Sequence, residues 1–166
     1  MQREDYLLSK NFGLFEMCHT DNLAYMNQNH DLDDRTLVAL CATAHLMESV
    51  RTLTGHARVA VHSAYRCPEL NGNVPGASIT SQHPKGEACD FHVDGQTVME
   101  AFNVLQNALR RGQFWCGQLI YEVRGGAEWV HVSLPEPWRV PEKCGQIMVS
   151  PRTGVYELIA RIAQIV

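Results

Sequence analysis

Metal-binding side chains are concentrated in residues 81–90, where His83 and Asp90 lie seven positions apart. A catalytic zinc ion takes histidine nitrogen and carboxylate oxygen atoms, with three protein ligands and one open position for water. Gly86 permits the tight backbone turn that would direct both side chains toward one point. Ala88 shares the strand face of Asp90 and leaves room beside it. These residues predict two ligands of a zinc site.

The third ligand is predicted in residues 128–133, a β-rich run in which His131 follows Glu128 by three positions. In a regular strand, side chains three positions apart face opposite sides. Both can reach one metal ion only if the chain bends or bulges just after Gly125 and Gly126. A carboxylate beside the metal would act as the general base. The run therefore predicts His131 as a ligand and Glu128 as the base.

Two neighbours of Asp90 are candidates for a further ligand. His92 follows Asp90 by two positions and shares its strand face, so it competes as a ligand; a supporting or structural role behind the ligands is the favoured alternative. Strand alternation directs Cys89 away from Asp90, which favours packing in the core.

The elements that must position these residues follow from hydrophobic periodicity. Apolar residues three and four apart predict a long helix, capped by Asp33 or Asp34 and stopped by Gly55. Residues 27–34 are polar and predict a loop. Helices are predicted at 34–54, 97–111 and 155–166, and strands at 57–62, 87–93, 116–123, 129–134 and 145–150. Short turns between the later strands predict an antiparallel sheet packed with helices, which is an α+β fold. We expect a single domain over residues 1–166.

Composition narrows the class of protein. The chain has 166 residues and a net charge of -4, with no lysine and arginine cluster, so we expect no nucleic-acid partner. Six cysteines without a CxxC pair indicate reduced thiols rather than a cysteine zinc knuckle. No apolar run reaches the length of a membrane span, and the N-terminus lacks the plan of a signal peptide. We therefore expect cytoplasmic synthesis.

The residues in their order resemble a known family. The matching motifs are Ser63-Ala64-Tyr65-Arg66, Asn71, Ser81-x-His83-x-x-Gly86-x-Ala88-x-Asp90 and Glu128-Trp129-Val130-His131. They resemble family M15, the D-Ala-D-Ala carboxypeptidase family of zinc peptidases. This family includes D-Ala-D-Ala carboxypeptidases, the dipeptidases of vancomycin resistance and phage L-alanyl-D-glutamate endolysins. The N-terminal part is similar to the phage and prophage branch.

The resemblance implies a fold like that of hedgehog and the zinc DD-peptidases, and a role for each motif residue. One zinc ion per chain would be bound by the three ligands His83, Asp90 and His131. Glu128 would activate the water molecule, and Arg66 would stabilise the oxyanion. Ser81 and Tyr65 would contact the substrate.

The implied reaction is hydrolysis of a peptide bond in the peptidoglycan stem peptide, by a monomer. Both a D-Ala-D-Ala terminus and the L-Ala–D-Glu bond fit the family. A phage or prophage enzyme without a signal peptide would reach the cell wall after holin-type release or as a virion component. Two other classes stay open: a virion or tail protein that binds the wall without cutting it, and a zinc protein of hedgehog-like fold that does not act on the wall.

Overall fold

The computed structural model describes residues 6–135, 144–152 and 155–162. Its helices are α1 (Leu14–Met17), α2 (Met26–Asn29), α3 (Asp34–Leu53), α4 (Pro68–Asn73) and α5 (Val98–Arg110), with 3-10 turns at Leu23–Tyr25 and His83–Lys85. Its strands are β1 (Val59–Ser63), β2 (Ala88–Val93), β3 (Gln118–Arg124), β4 (Ala127–Ser133), β5 (Gln146–Arg152) and β6 (Val155–Arg161). No helix in these ranges is long and apolar enough to cross a membrane.

The six strands form one mixed sheet in the order β1-β2-β4-β3-β5-β6. Neighbouring strands are antiparallel except β3 and β5, which are parallel. The α+β class is confirmed, but the expectation of a wholly antiparallel sheet is wrong at this pair. β5 follows β4 in the chain yet lies on the far side of β3.

The two long helices begin at side-chain caps. The Asp33 carboxylate accepts the N–H of Thr36 at the start of α3. Thr97 and Glu100 form a reciprocal capping box at the start of α5. Both helices therefore lie close to their predicted ranges. Residues 27–34, predicted as a loop, include the end of α2.

The closing helix predicted at 155–166 is wrong over the described residues, because Val155–Arg161 is the edge strand β6. Its main chain pairs antiparallel with β5, for example Met148 with Leu158. A short apolar run has no periodicity that separates helix from strand, and pairing with a neighbouring strand decides between them. Residues 163–166 of that prediction lie outside the described residues.

The sheet has one face toward the helices and one toward a cleft. α5 contacts β2, β3 and β4, and α3 contacts α5 and β1. The face that meets these helices is apolar and buried, with Cys89, Phe91, Leu119, Val130 and Val132 each fully buried. Alternation along the strands directs Asp90 and His131, with Ile120 and Glu122, to the opposite face. The predicted core position of Cys89 is thus confirmed.

Gly86 joins the 3-10 turn that carries His83 to the strand that carries Asp90. Its φ is +71°, and a Cβ atom built on it would lie 2.8 Å from the carbonyl oxygen of Thr36 in α3. The Gly86 carbonyl also accepts a 2.7 Å hydrogen bond from the buried hydroxyl of Thr43. This close approach fixes the His83 turn against α3.

We expect Gly86→Ala to destabilise the fold more than Gly95→Ala. Gly95 also has a positive φ (+78°), but a Cβ atom at that position would meet nothing within 4 Å, so its substitution tests backbone strain alone. Left-handed strain costs about 1–2 kcal/mol, and forced overpacking adds about 1–3 kcal/mol at Gly86. Urea unfolding of the metal-free variants measures both losses. Equal losses would show that the contact with α3 contributes nothing.

Candidate metal centre

Three potential ligands predicted from the sequence meet at one point on the cleft face. The Asp90 carboxylate lies 2.7 Å from His131 Nδ1 and 3.3 Å from His83 Nε2. One donor atom from each residue lies within 4.8 Å of the others, and all three side chains are buried. Two imidazole nitrogens and a carboxylate oxygen are a donor set that suits zinc. The group could therefore hold a metal ion.

Strand pairing brings two of these residues together. Asp90 of β2 and His131 of β4 are directly paired across the antiparallel ladder, on the same face of the sheet. His83 arrives from the 3-10 turn that immediately precedes β2. Residues far apart in the chain thus converge because their strands are neighbours.

The ring of His83 is held in one tautomer. Its Nδ1 donates a 2.7 Å hydrogen bond to the carbonyl oxygen of Ala64, which leaves Nε2 directed at Asp90. Burial, partly opposed by Asp90, lowers the pKa of His83 to about 4. The imidazole is therefore neutral at neutral pH, as a metal ligand must be.

Asp90 is ionised despite its burial. Burial alone would raise the pKa of its carboxyl group, but its contacts with His83, His131 and Arg66 outweigh burial. Together they hold the pKa of Asp90 well below its usual range. Arg66 Nη2 lies 2.6 Å from Asp90 Oδ2, and Arg66 Nε donates to the hydroxyl of Ser63 at 2.8 Å. Arg66 thus lies beside the ligand group.

Asn29 holds the segment that carries Arg66, and sequence reasoning missed it inside a supposed polar loop. Its buried side chain donates to the carbonyl oxygens of Cys18 and Tyr65 and accepts the N–H of Cys67. It therefore ties down the backbone on both sides of Arg66. Only long-range contacts identify this role, because an isolated asparagine in a polar stretch has no distinguishing pattern.

The ligand group lies in a cavity of about 630 Å³. The side chains from β3 and β4 that line it are Gln118, Ile120, Glu122, Arg124, Ala127, Trp129 and His131. Ser81, Arg66 and His83 line it from the preceding loops, and Met148 and Tyr156 from the last two strands. The hydroxyl of Ser81, for which a substrate contact is predicted, accepts the N–H of His83 at 3.3 Å.

Glu128 lies on the other face of the sheet. Gly125 and Gly126 both have positive φ values, +57° and +86°, and form a two-residue hairpin turn. Pairing resumes at once with Arg124 opposite Ala127 and continues without interruption to Leu119 and Val132. The expected bend or bulge is absent from this ladder, so Glu128 and His131 face opposite sides. The predicted place of Glu128 beside the ligands is therefore wrong.

Contacts on the helix side agree with this orientation. The exposed side chain of Glu128 forms a hydrogen bond with Tyr121, which helps to raise the pKa of Tyr121 after the larger effect of burial. Tyr121 in turn lies against Phe102 of α5, with ring centroids 6.0 Å apart. Glu128 thus belongs to the rim of the helix face and has no access to the ligand group.

Glu122 is the carboxylate that β3 directs into the cavity. It pairs directly with Trp129, two residue pairs along the ladder from Ile120 and His131. A diagonal neighbour of this kind lies about 7–8 Å away between Cα atoms. Glu122 is 8% exposed, and burial raises the pKa of its carboxyl group, an effect that charge interaction with His131 partly opposes. The sequence contains one signal for this position of Glu122. Alternate residues of a strand share a face, so positions 120, 122 and 124 lie on the face of His131 once the hairpin pairing is known.

Two other predicted neighbours have different places. The Tyr65 side chain lies in the hydrophobic core and not among the cavity lining, and burial raises the pKa of its hydroxyl to about 12. The substrate contact predicted for Tyr65 is therefore not available to it. His92 lies outside the three-residue group found among the described residues, with Nδ1 2.6 Å from His62 Nε2 and Nε2 3.3 Å from Asp94. The supporting alternative fits this position better than that of a ligand.

The α+β fold thus carries a buried His-Asp-His group that could hold a metal ion, and this group lines a cleft. The family model described as Peptidase M15 matches residues 17–133, which is more than two thirds of the chain and includes all three residues of the group. The chain belongs to this family, and it is a peptidase. No curated protein matches the chain.

We expect His83→Ala and His131→Ala to lose bound zinc, because each removes one of three protein donors. His92→Ala is the matched control: it removes a nearby histidine outside the group and should keep one zinc ion per chain. Elemental analysis of the purified variants, with circular dichroism to verify folding, measures the outcome. If His83→Ala and His131→Ala both fold and still bind one zinc ion per chain, these two histidines are not the ligands.

Proposed function

We propose that the chain is a zinc peptidase that hydrolyses a peptide bond of the peptidoglycan stem, with Glu122 as the general base. The single observation that carries the proposal is that Glu122 and the His-Asp-His group line one cavity, with Glu122 on the same face of the β3–β4 ladder as His131. Membership in the Peptidase M15 family supports the substrate class. A phage or prophage origin, with action at the cell wall after holin-type release or in the virion, agrees with the sequence resemblance.

A zinc ion held by His83, Asp90 and His131 would polarise the scissile carbonyl group and lower the pKa of a water molecule. Glu122 accepts the proton of the attacking water and returns it to the leaving amine. The raised pKa of Glu122 suits both transfers, since a base with a pKa nearer to neutrality is also an effective acid.

Arg66 donates hydrogen bonds toward the carbonyl oxygen as its negative charge develops. Its anchors on Asp90 and Ser63 hold the guanidinium group in place before substrate arrives. Preorganised donors act most strongly in a cavity that excludes water. Asn29 supports this arrangement through the backbone on either side of Arg66.

We expect Glu122→Gln to lower kcat by about 10²–10⁴-fold with zinc content and thermal melting unchanged, because the amide cannot accept the proton. Glu128→Gln is the matched control, since it makes the same change on the opposite face and should keep near-normal turnover. Digestion of purified peptidoglycan, followed by mass spectrometry of the fragments, measures both activity and the bond cut. The reverse ranking of the two variants would restore Glu128 as the base.

We expect Arg66→Ala to lower kcat more than it raises KM, by on the order of 3 kcal/mol in the barrier, because a donor aimed at developing charge acts in the transition state. Arg66→Lys should rescue in part, since it restores charge without the planar fork. Zinc content must be measured alongside, because Arg66 also contacts Asp90. A raised KM with an intact kcat would instead assign Arg66 to binding of a substrate carboxylate.

A wall-binding protein without hydrolytic activity is the alternative from a different class. Wall binding alone would require no buried carboxylate beside the ligand group. Glu122 is such a carboxylate, which favours the peptidase. If wild-type protein pellets with cell walls but releases no fragments, this alternative replaces the peptidase.

A further inference from the structure

Arg124 is a second arginine in the cavity, and unlike Arg66 it forms no ion pair with any residue that the structure describes. It lies at the end of β3, one step beyond Glu122 along the face that carries the ligand group. Its guanidinium carbon lies 5.6 Å from the centre of the Trp129 ring. Within the described parts of the chain, Arg124 forms no ion pair, and its buried Nε has no hydrogen-bond acceptor.

The indole nitrogen of Trp129 is also buried without an acceptor among the described residues. Two unpaired N–H donors thus accompany a guanidinium group that is partly removed from water. A buried donor without an acceptor costs free energy, and the loss is greater for a charged group. The ring of Trp129 supports the guanidinium plane but supplies no hydrogen-bond acceptor. An incoming carboxylate could accept two parallel hydrogen bonds from the terminal nitrogens of the guanidinium group, which are not among the buried unpaired atoms.

Glu122 is an internal candidate to neutralise Arg124, since the two groups interact by charge. The two positions lie on the same side of the same strand, and the charge of Arg124 lowers the pKa of Glu122 somewhat against the larger effect of burial. The two side chains nevertheless form no ion pair among the described contacts. Glu122 faces the ligand group, so Arg124 stays available to a molecule in the cavity.

We propose that Arg124, supported by Trp129, binds a free carboxylate of the peptide substrate close to the scissile amide. The inference rests on the proposed function and specifies its substrate class: peptides with a carboxylate on the carbon bonded to the scissile nitrogen. That carboxylate lies within about one residue length, roughly 3.5 Å, of the scissile carbon. A long arginine side chain that leans back along the ladder toward Glu122 can cover such a distance. Both candidate bonds have this chemistry, as the terminal carboxylate of D-Ala-D-Ala and as the α-carboxylate of D-Glu.

The test uses two pairs of synthetic stem peptides. One pair ends in D-Ala-D-Ala as the free acid or as the C-terminal amide, and the other contains the L-Ala–D-Glu bond with a free or amidated α-carboxylate. We expect the wild-type zinc enzyme to cleave the free acid of one peptide pair with a kcat/KM about ten- to a hundredfold higher than that of the amide. This is the effect of a hydrogen bond between charged groups. The pair that shows the preference identifies the source of the carboxylate.

Arg124→Gln should abolish that preference by raising KM for the acid, with little change for the amide. Arg124→Lys should restore part of it. Arg110→Gln is the matched control, since it removes an arginine from the exposed end of α5 and should keep the wild-type preference. Thermal melting verifies that each variant is folded.

Equal cleavage of acid and amide by the wild type would overturn the inference while the proposed function stands. So would an equal loss on both substrates in Arg124→Gln with a shifted pH profile, since Arg124 would then act through Glu122. If the wild type cleaves no peptide, the proposed function fails and calorimetry decides the inference separately. Binding of the acid but not the amide, lost in Arg124→Gln, would support it; equal or absent binding would overturn it.

Discussion

The buried carboxylate of Asp90 is the interaction on which the site depends. It lies against His83, His131 and Arg66, and these contacts hold its pKa well below the usual range although burial opposes ionisation. An unpaired charge at this depth would cost several kcal/mol of folding free energy, so Asp90 stays ionised only because these neighbours surround it. Each neighbour comes from a different part of the chain. The carboxylate therefore couples the assembly of the fold to the assembly of the metal centre.

Three structural devices bring those neighbours to Asp90. The β2–β4 ladder sets His131 directly opposite. The close contact of Gly86 with α3 fixes the turn that presents His83, and the Ala64 carbonyl selects its tautomer. Asn29 secures the backbone that presents Arg66. The ladder is regular secondary structure, whereas the others are individual contacts that depend on the size and hydrogen-bonding groups of single residues.

The choice between two glutamates shows how one turn decides chemistry. Glu128 stands in the expected motif beside His131, but a two-residue hairpin at Gly125 and Gly126 preserves strict alternation along both strands. Period-two geometry then directs Glu128 to the helix face and Glu122 to the cavity. A one-residue bulge in β4 between Glu128 and His131 would have turned Glu128 to the face of the ligand group. The candidate base thus depends on register, which a motif in one strand does not specify.

Local patterns in the sequence were sufficient for the long helices, most of the strands and the group His83, Asp90 and His131. Capping residues, periodicity and donor chemistry are properties of residues near one another in the chain. The strand nature of β6, the parallel pairing of β3 with β5, the core position of Tyr65 and the cavity position of Glu122 were not predictable in that way. Each depends on which distant strand lies alongside, and strand pairing is settled by hydrogen bonds and packing between segments far apart in sequence. The sequence by itself determined which atoms could bind a metal ion; only the tertiary structure decided which carboxylate faces them.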